Sequence, residues 1–238
     1  MLGFRAHPGG KGQQIVDLKL LFDEFAASMV RERSLTTAER LSDWSAAVKA
    51  RFVRLGKKRS YTPFATDDRR KSAAYLWDVA WAIEDRLKRG QAPSGAGIKG
   101  LKFPVAPYRR LILTMEVEWG RQGQRPHTQV FRQNLEEVFR DFYKLMDARS
   151  STKVMVYTTW QYPGQSGLEG LFVQGFRRIL LDYDGHLPGD SYLFVEFDDR
   201  AGMLRGYTTS VPKRGPRSFK VRELGAVAYP RRWDPKSI

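Results

Sequence analysis

The chain has 238 residues, 42% of them hydrophobic, which suits one large domain or two small ones with a full core and excludes a disordered polymer. It has no cysteine and only three histidines, the widely separated His7, His127 and His186, so a disulfide scaffold and Cys-ligated zinc are excluded and a histidine-rich metal centre is disfavoured. Lys plus Arg number 41 against 26 Asp plus Glu, and the resulting net charge of +15 suits a polyanionic partner.

Residues 14–32 place Ile15, Leu18, Phe22, Phe25 and Met29 at helical spacing. A second helix is expected from the N-cap candidates Thr36 or Thr37 to about Leu55. Leu41, Trp44, Val48 and Phe52 form its apolar stripe and Gly56 is its stop signal. KKRSYTPFAT reads as a short strand that Pro63 keeps near an edge. Residues 73–84, AAYLWDVAWAIE, alternate and are rich in aromatics, so they read as a strand, although their alanines also suit a helix. The Gly and Pro content of residues 88–107 marks a long loop.

Residues 109–119 form the next expected strand. Residues 129–148 follow as a helix with Phe131, Leu135, Val138, Phe142 and Leu145 on one face, and residues 153–160 as a buried, parallel-type strand. A helix over 168–181 and strands over 192–197 and 203–211, joined by DDRAG, complete the periodic part. From Pro212 the tail is rich in Pro, Lys and Arg and shows little periodicity. The unit from 109 to 160 is a crossover, expected to be parallel and right-handed. The fold class is therefore α/β, a mixed central sheet flanked by helices. The opening MLGFRAHPGGKGQQ lacks the apolar core of a signal peptide, and no run of about 18 apolar residues suggests a membrane span. These features together predict a soluble, cytoplasmic protein.

Two motifs are set aside. GAGIKG, residues 95–100, spells a dinucleotide fingerprint, but QAPS precedes it and the proline-bearing LKFPVAP follows it. Without a strand before and a helix after, it reads as a basic loop carrying Lys99 and Lys102. In LDYDGHLPGD, Asp182, Asp184 and His186 could hold a metal, yet such residues are routine in a polar turn.

The informative residues are three acids in apolar strands. Asp78 sits in YLWDVAW, and Glu116 and Glu118 sit two apart in LTMEVEWG. Residues i and i+2 share one face of a strand, and side-by-side carboxylates repel unless positive charge lies between them. Adjacent strands in register bring Asp78, Glu116 and Glu118 together as a hard oxygen site suited to Mg²⁺ or Mn²⁺. The alternatives are that Arg109, Arg110 or other basic residues pair with these acids, or that one face is solvated.

Helix, three strands, helix, strand over residues 36–160, with Asp78 on the second strand and Glu116-x-Glu118 on the third, resembles the PD-(D/E)xK nuclease superfamily, a restriction-endonuclease-like core. The resemblance covers about half the chain and divides it into an N-terminal helical extension (1–35), the core (36–160) and a C-terminal helix-strand extension with a basic tail (161–238). It implies that Asp78 and Glu116 ligate Mg²⁺ or Mn²⁺. Glu118 stands where lysine is usual, as ligand or base. Glu39 of the first helix is a further candidate ligand. Lys144 in RDFYKLMD, off the apolar stripe, is the candidate replacement for the lysine, against the alternative of an ordinary solvated helix lysine.

The function expected on this basis is a metal-dependent phosphodiesterase, a DNA endonuclease acting on double-stranded DNA. The segments 57–59, 69–71, 86–89 and 213–220 would hold the backbone, and a homodimer would suit double-strand cutting. The competing readings are a non-catalytic basic nucleic-acid-binding protein working in a larger complex, and a basic module for an acidic protein.

Overall fold

In the computed structural model of the chain, the described residues are 16–31, 41–66, 77–84, 108–119, 129–159, 164–212 and 219–229. Glu39, Thr36 and Thr37, residues 69–71 and 86–89, and the GAGIKG segment lie outside them.

Helix α1 (Leu18–Val30) starts where the Asp17 carboxylate accepts the Leu20 N–H at 3.0 Å, and it buries Leu21, Phe22, Phe25, Ala26 and Met29. Helix α2 (Leu41–Lys58) buries Val48, Phe52 and Leu55. It does not stop at Gly56. A Cβ there would meet the Trp81 indole at 2.6 Å, so the glycine admits the ring inside the helix. Trp81 then donates its indole N–H to the Phe52 carbonyl at 2.9 Å. The turn that ends α2 is made at Ser60, whose φ of 62° lies in the left-handed region.

The strands are β1 (Thr62–Ala65), β2 (Val79–Glu84) and β3 (Tyr108–Glu118), an antiparallel run. After α3 (Gln129–Met146), β4 (Thr152–Thr158) returns parallel to β3. After α4 (Leu171–Asp182), β5 (Ser191–Asp198) lies parallel to β4. Strands β6 (Met203–Ser210) and β7 (Arg222–Ala228) close the sheet antiparallel. The seven strands lie side by side in chain order. The sheet is larger than the sequence predicts: β7 falls in the aperiodic tail, and the expected strand over 73–84 begins only at Val79, with Trp77 and Asp78 in a bend before it.

Alternation sorts the side chains of the sheet into two layers. One face packs on α1 and α2 through Met115, Val117, Val154, Val156, Leu193 and Val195. The other packs on α3 and α4 through Met155, Tyr157, Tyr192, Phe194 and Tyr207. A fully buried Phe contributes about 1.5–3 kcal/mol, and several anchor each layer. Among the described residues no helix is long and apolar enough to cross a membrane.

Candidate active site

On β3, Met115 and Val117 point into the α1–α2 layer, while Glu116 points the other way and is 3% exposed. Its register partner on β4 is Met155. Asp78 precedes Val79, the register partner of Met115, and so arrives at the same end of the sheet. Its Oδ2 accepts the Val117 N–H at 3.0 Å. Thr66, just past β1, donates its N–H to the Asp78 carbonyl at 3.0 Å and its hydroxyl to Oδ1 at 3.2 Å. Backbone and hydroxyl donors therefore fix the Asp78 carboxylate at the end of β3, near enough for its charge to act on Glu116.

Two lysines meet this pair from opposite faces of the sheet. Lys49 of α2 places Nζ 2.8 Å from Asp78 Oδ1. One turn earlier, Ser45 accepts the Trp119 indole N–H at 2.8 Å, which docks the same side of α2 on the end of β3. Lys144, in the last turn of α3, places Nζ 3.1 Å from Glu116 Oε1 and 3.0 Å from Asp141 Oδ1. The Trp77 indole donates to the Lys144 carbonyl at 3.3 Å and ties that turn to the Asp78 segment. The positive charges that offset the acids are thus Lys49 and Lys144. Of the two lysines Lys49 escapes sequence reasoning, as does the Asp141 that accompanies Lys144. The available signals were the Ser45/Lys49 and Asp141/Lys144 spacings, which put each pair on one side of its helix.

The Glu116 carboxyl is pushed up to about 9, first by burial and then by the Asp78 charge, with Asp141 adding to the rise and Lys144 opposing it. Its buried Oε1 has the Lys144 ammonium as its charge partner at 3.1 Å, in poor hydrogen-bond geometry. Burial pulls Lys144 down, but Glu116 and Asp141 outweigh it and hold the ammonium above the usual lysine range. Glu116, only partly offset by Lys144 and beside a second carboxylate, would suit a divalent cation. Mg²⁺ is commonly held by one or two protein carboxylates, with water and phosphate oxygens completing its shell. Among the described residues no three Asp, Glu, His or Cys side chains gather as a ligand set. Glu118 lies two residues beyond Glu116, partly buried, with Tyr157 as its register partner.

Further along the same face, Tyr157 donates its hydroxyl to Glu196 Oε2 at 3.1 Å, and the Gly167 N–H lies 3.3 Å from both Glu196 oxygens. Burial pushes Glu196 up to about 7 against these bonds. The LDYDGHLPGD segment is a turn in which Arg178 pairs with Asp182, and the His186 nitrogens face the Tyr192 hydroxyl and the Leu180 carbonyl. Of the basic segment 57–59, Lys58 and Arg59 are engaged by Glu24.

Set against known proteins, the chain matches no family model, no curated protein and no solved structure. Fold and site together define an α/β protein with a seven-stranded mixed sheet and a carboxylate pair, one buried and one partly buried, bracketed by two lysines.

Proposed function

We propose that the protein is a metal-dependent phosphodiesterase that hydrolyses nucleic acid, with double-stranded DNA as the favoured substrate, built on a restriction-endonuclease-like core. The observation that carries this reading is Lys144 beside Glu116: the expected carboxylate strand carries no lysine at position 118, and α3 supplies one. The element order supports it, since β1–β2–β3 run antiparallel and β4 returns parallel to β3 after α3.

Asp78 and Glu116 would hold Mg²⁺ or Mn²⁺, which when bound supplies charge stabilisation and an activated water. Glu116, whose burial favours the protonated form, would have to lose that proton to ligate a cation. Lys144 stays charged, so it serves as an electrostatic partner for the phosphate oxygens rather than as a base. Glu118, closer to solvent, is the candidate base or further ligand. The net charge of +15 supplies backbone affinity that weakens with salt.

The second reading is a non-catalytic nucleic-acid-binding protein. It is favoured by the two lysines that already offset Asp78 and Glu116. Incubating supercoiled plasmid, linear duplex and RNA with the protein, with and without Mg²⁺, separates the two. Nicks or ends that require Mg²⁺ and vanish in Glu116→Gln support the nuclease. Salt-sensitive binding with no cleavage supports the binding protein.

A further inference from the structure

Lys49 is a buried cation in an apolar layer. It is 7% exposed, and its helix otherwise presents Val48, Phe52 and Leu55 to that layer. Its Nζ lies 2.8 Å from Asp78 Oδ1 and 3.4 Å from the Thr66 hydroxyl. The other Asp78 oxygen is committed to the Val117 N–H. The ammonium therefore covers Oδ1, which also accepts the Thr66 hydroxyl, and puts a full positive charge against any cation that approaches this carboxylate. Lys144 differs, because it stands on the opposite face and is shared with Asp141.

We infer that Lys49 is a tethered competitor for the cation position at Asp78, and that it sets how tightly the site takes a divalent metal. The inference rests on the metal-site reading above. A divalent cation drawn to Asp78 and Glu116 meets the Lys49 charge at close range in a poorly solvated setting, where repulsion is strong. A cation at Oδ1 would displace the ammonium, for which the Thr66 hydroxyl is a second acceptor within reach. The site is thereby tuned to a weaker metal affinity than the two carboxylates would otherwise have.

The test is Mn²⁺ titration followed by electron paramagnetic resonance, at neutral pH and without nucleic acid. It compares the wild type with Lys49→Met, Lys49→Arg, Asp78→Asn and the Lys49→Met/Asp78→Asn pair, each checked for folding by circular dichroism. Lys49→Met is expected to bind Mn²⁺ at least about tenfold more tightly. Lys49→Arg, which keeps the charge, is expected to stay near wild type, and the pair is expected to lose the gain. If Lys49→Met does not fold, Lys49→Gln carries the same expectation. Wild-type-like Mn²⁺ affinity in Lys49→Met, with binding abolished by Asp78→Asn, overturns the role of Lys49 and leaves the metal site standing. A gain that persists in the pair also overturns it, because the effect is then not at Asp78. Absence of binding in every protein, Lys49→Met included, overturns both the inference and the metal-site reading.

Discussion

Lys144 reaches from the last turn of α3 to Glu116 on β3, with Nζ 3.1 Å from Oε1, while the strand position two residues beyond Glu116 is a glutamate. A helix thus provides the cation that the strand lacks. Lys144→Met keeps the aliphatic stem and removes the charge. Cleavage is expected to fall by roughly 10²–10³-fold, the loss typical of one electrostatic stabiliser. Binding of labelled duplex is expected to persist, because one cation of many is gone.

If the position of the lysine matters less than its presence, a strand lysine can replace a helix lysine. Glu118→Lys introduced into Lys144→Met is expected to restore part of the lost cleavage, measured by plasmid nicking. Glu118→Gln alone is expected to cost at least about 10²-fold if Glu118 is the base. Wild-type rates in Glu118→Gln remove Glu118 from the chemistry.

Glu116 also makes stability depend on pH. Burial and the Asp78 charge push its carboxyl up to about 9 when folded, against an ordinary value near 4.5. Between those values the folded state binds more protons than the unfolded state, so stability falls as pH rises through that window. Glu196, pushed up to about 7, acts in the same direction over the lower part. Thermal melts of wild type are expected to drop from mildly acidic to alkaline pH. Glu116→Gln, which mimics the protonated acid, is expected to flatten the drop above about pH 7. Each kcal/mol recovered shifts the melting temperature by roughly 2–4 °C.

At the opposite end of the parallel strands, Lys153 donates to Asp190 Oδ2 at 2.9 Å and to the Ser150 carbonyl at 2.8 Å, with both side chains buried. Lys153→Met leaves the Asp190 charge buried alone and is expected to cost about 3–5 kcal/mol in urea unfolding. Asp190→Asn is expected to cost less, because burial already holds the Lys153 ammonium below its usual range and Ser150 remains an acceptor. Replacing both by apolar residues is expected to cost less than the sum of the single changes.

Much of the fold was legible because its helices and central strands carry clean periodicity. Phe22, Phe25 and Met29 mark α1, and Val138, Phe142 and Leu145 mark α3, each buried as spacing requires. What misled was a residue with two uses. Gly56 looked like a helix stop, but it makes room for Trp81, and a serine adopts the left-handed turn instead. Strand β7 was hidden because an edge strand with Arg222 and Glu223 exposed shows no regular alternation. At the site, parity correctly set Glu116 apart from Met115 and Val117. Lys49 was invisible because nothing local marks a lysine beside an apolar stripe as buried. Its partner lies 29 residues away on another element, so only the packing of α2 on the sheet reveals the pair.

The central claim is that Asp78 and Glu116 form a metal-dependent hydrolytic site for nucleic acid. It is tested most directly by end-labelled duplex DNA incubated with Mg²⁺, Mn²⁺ or chelator, using wild type beside Asp78→Asn and Glu116→Gln. Cleavage by wild type is expected to need the divalent cation, and neither variant is expected to cut although both still bind the duplex. Duplex and RNA left intact by wild type under every metal condition, while binding remains tight and salt-sensitive, would contradict it.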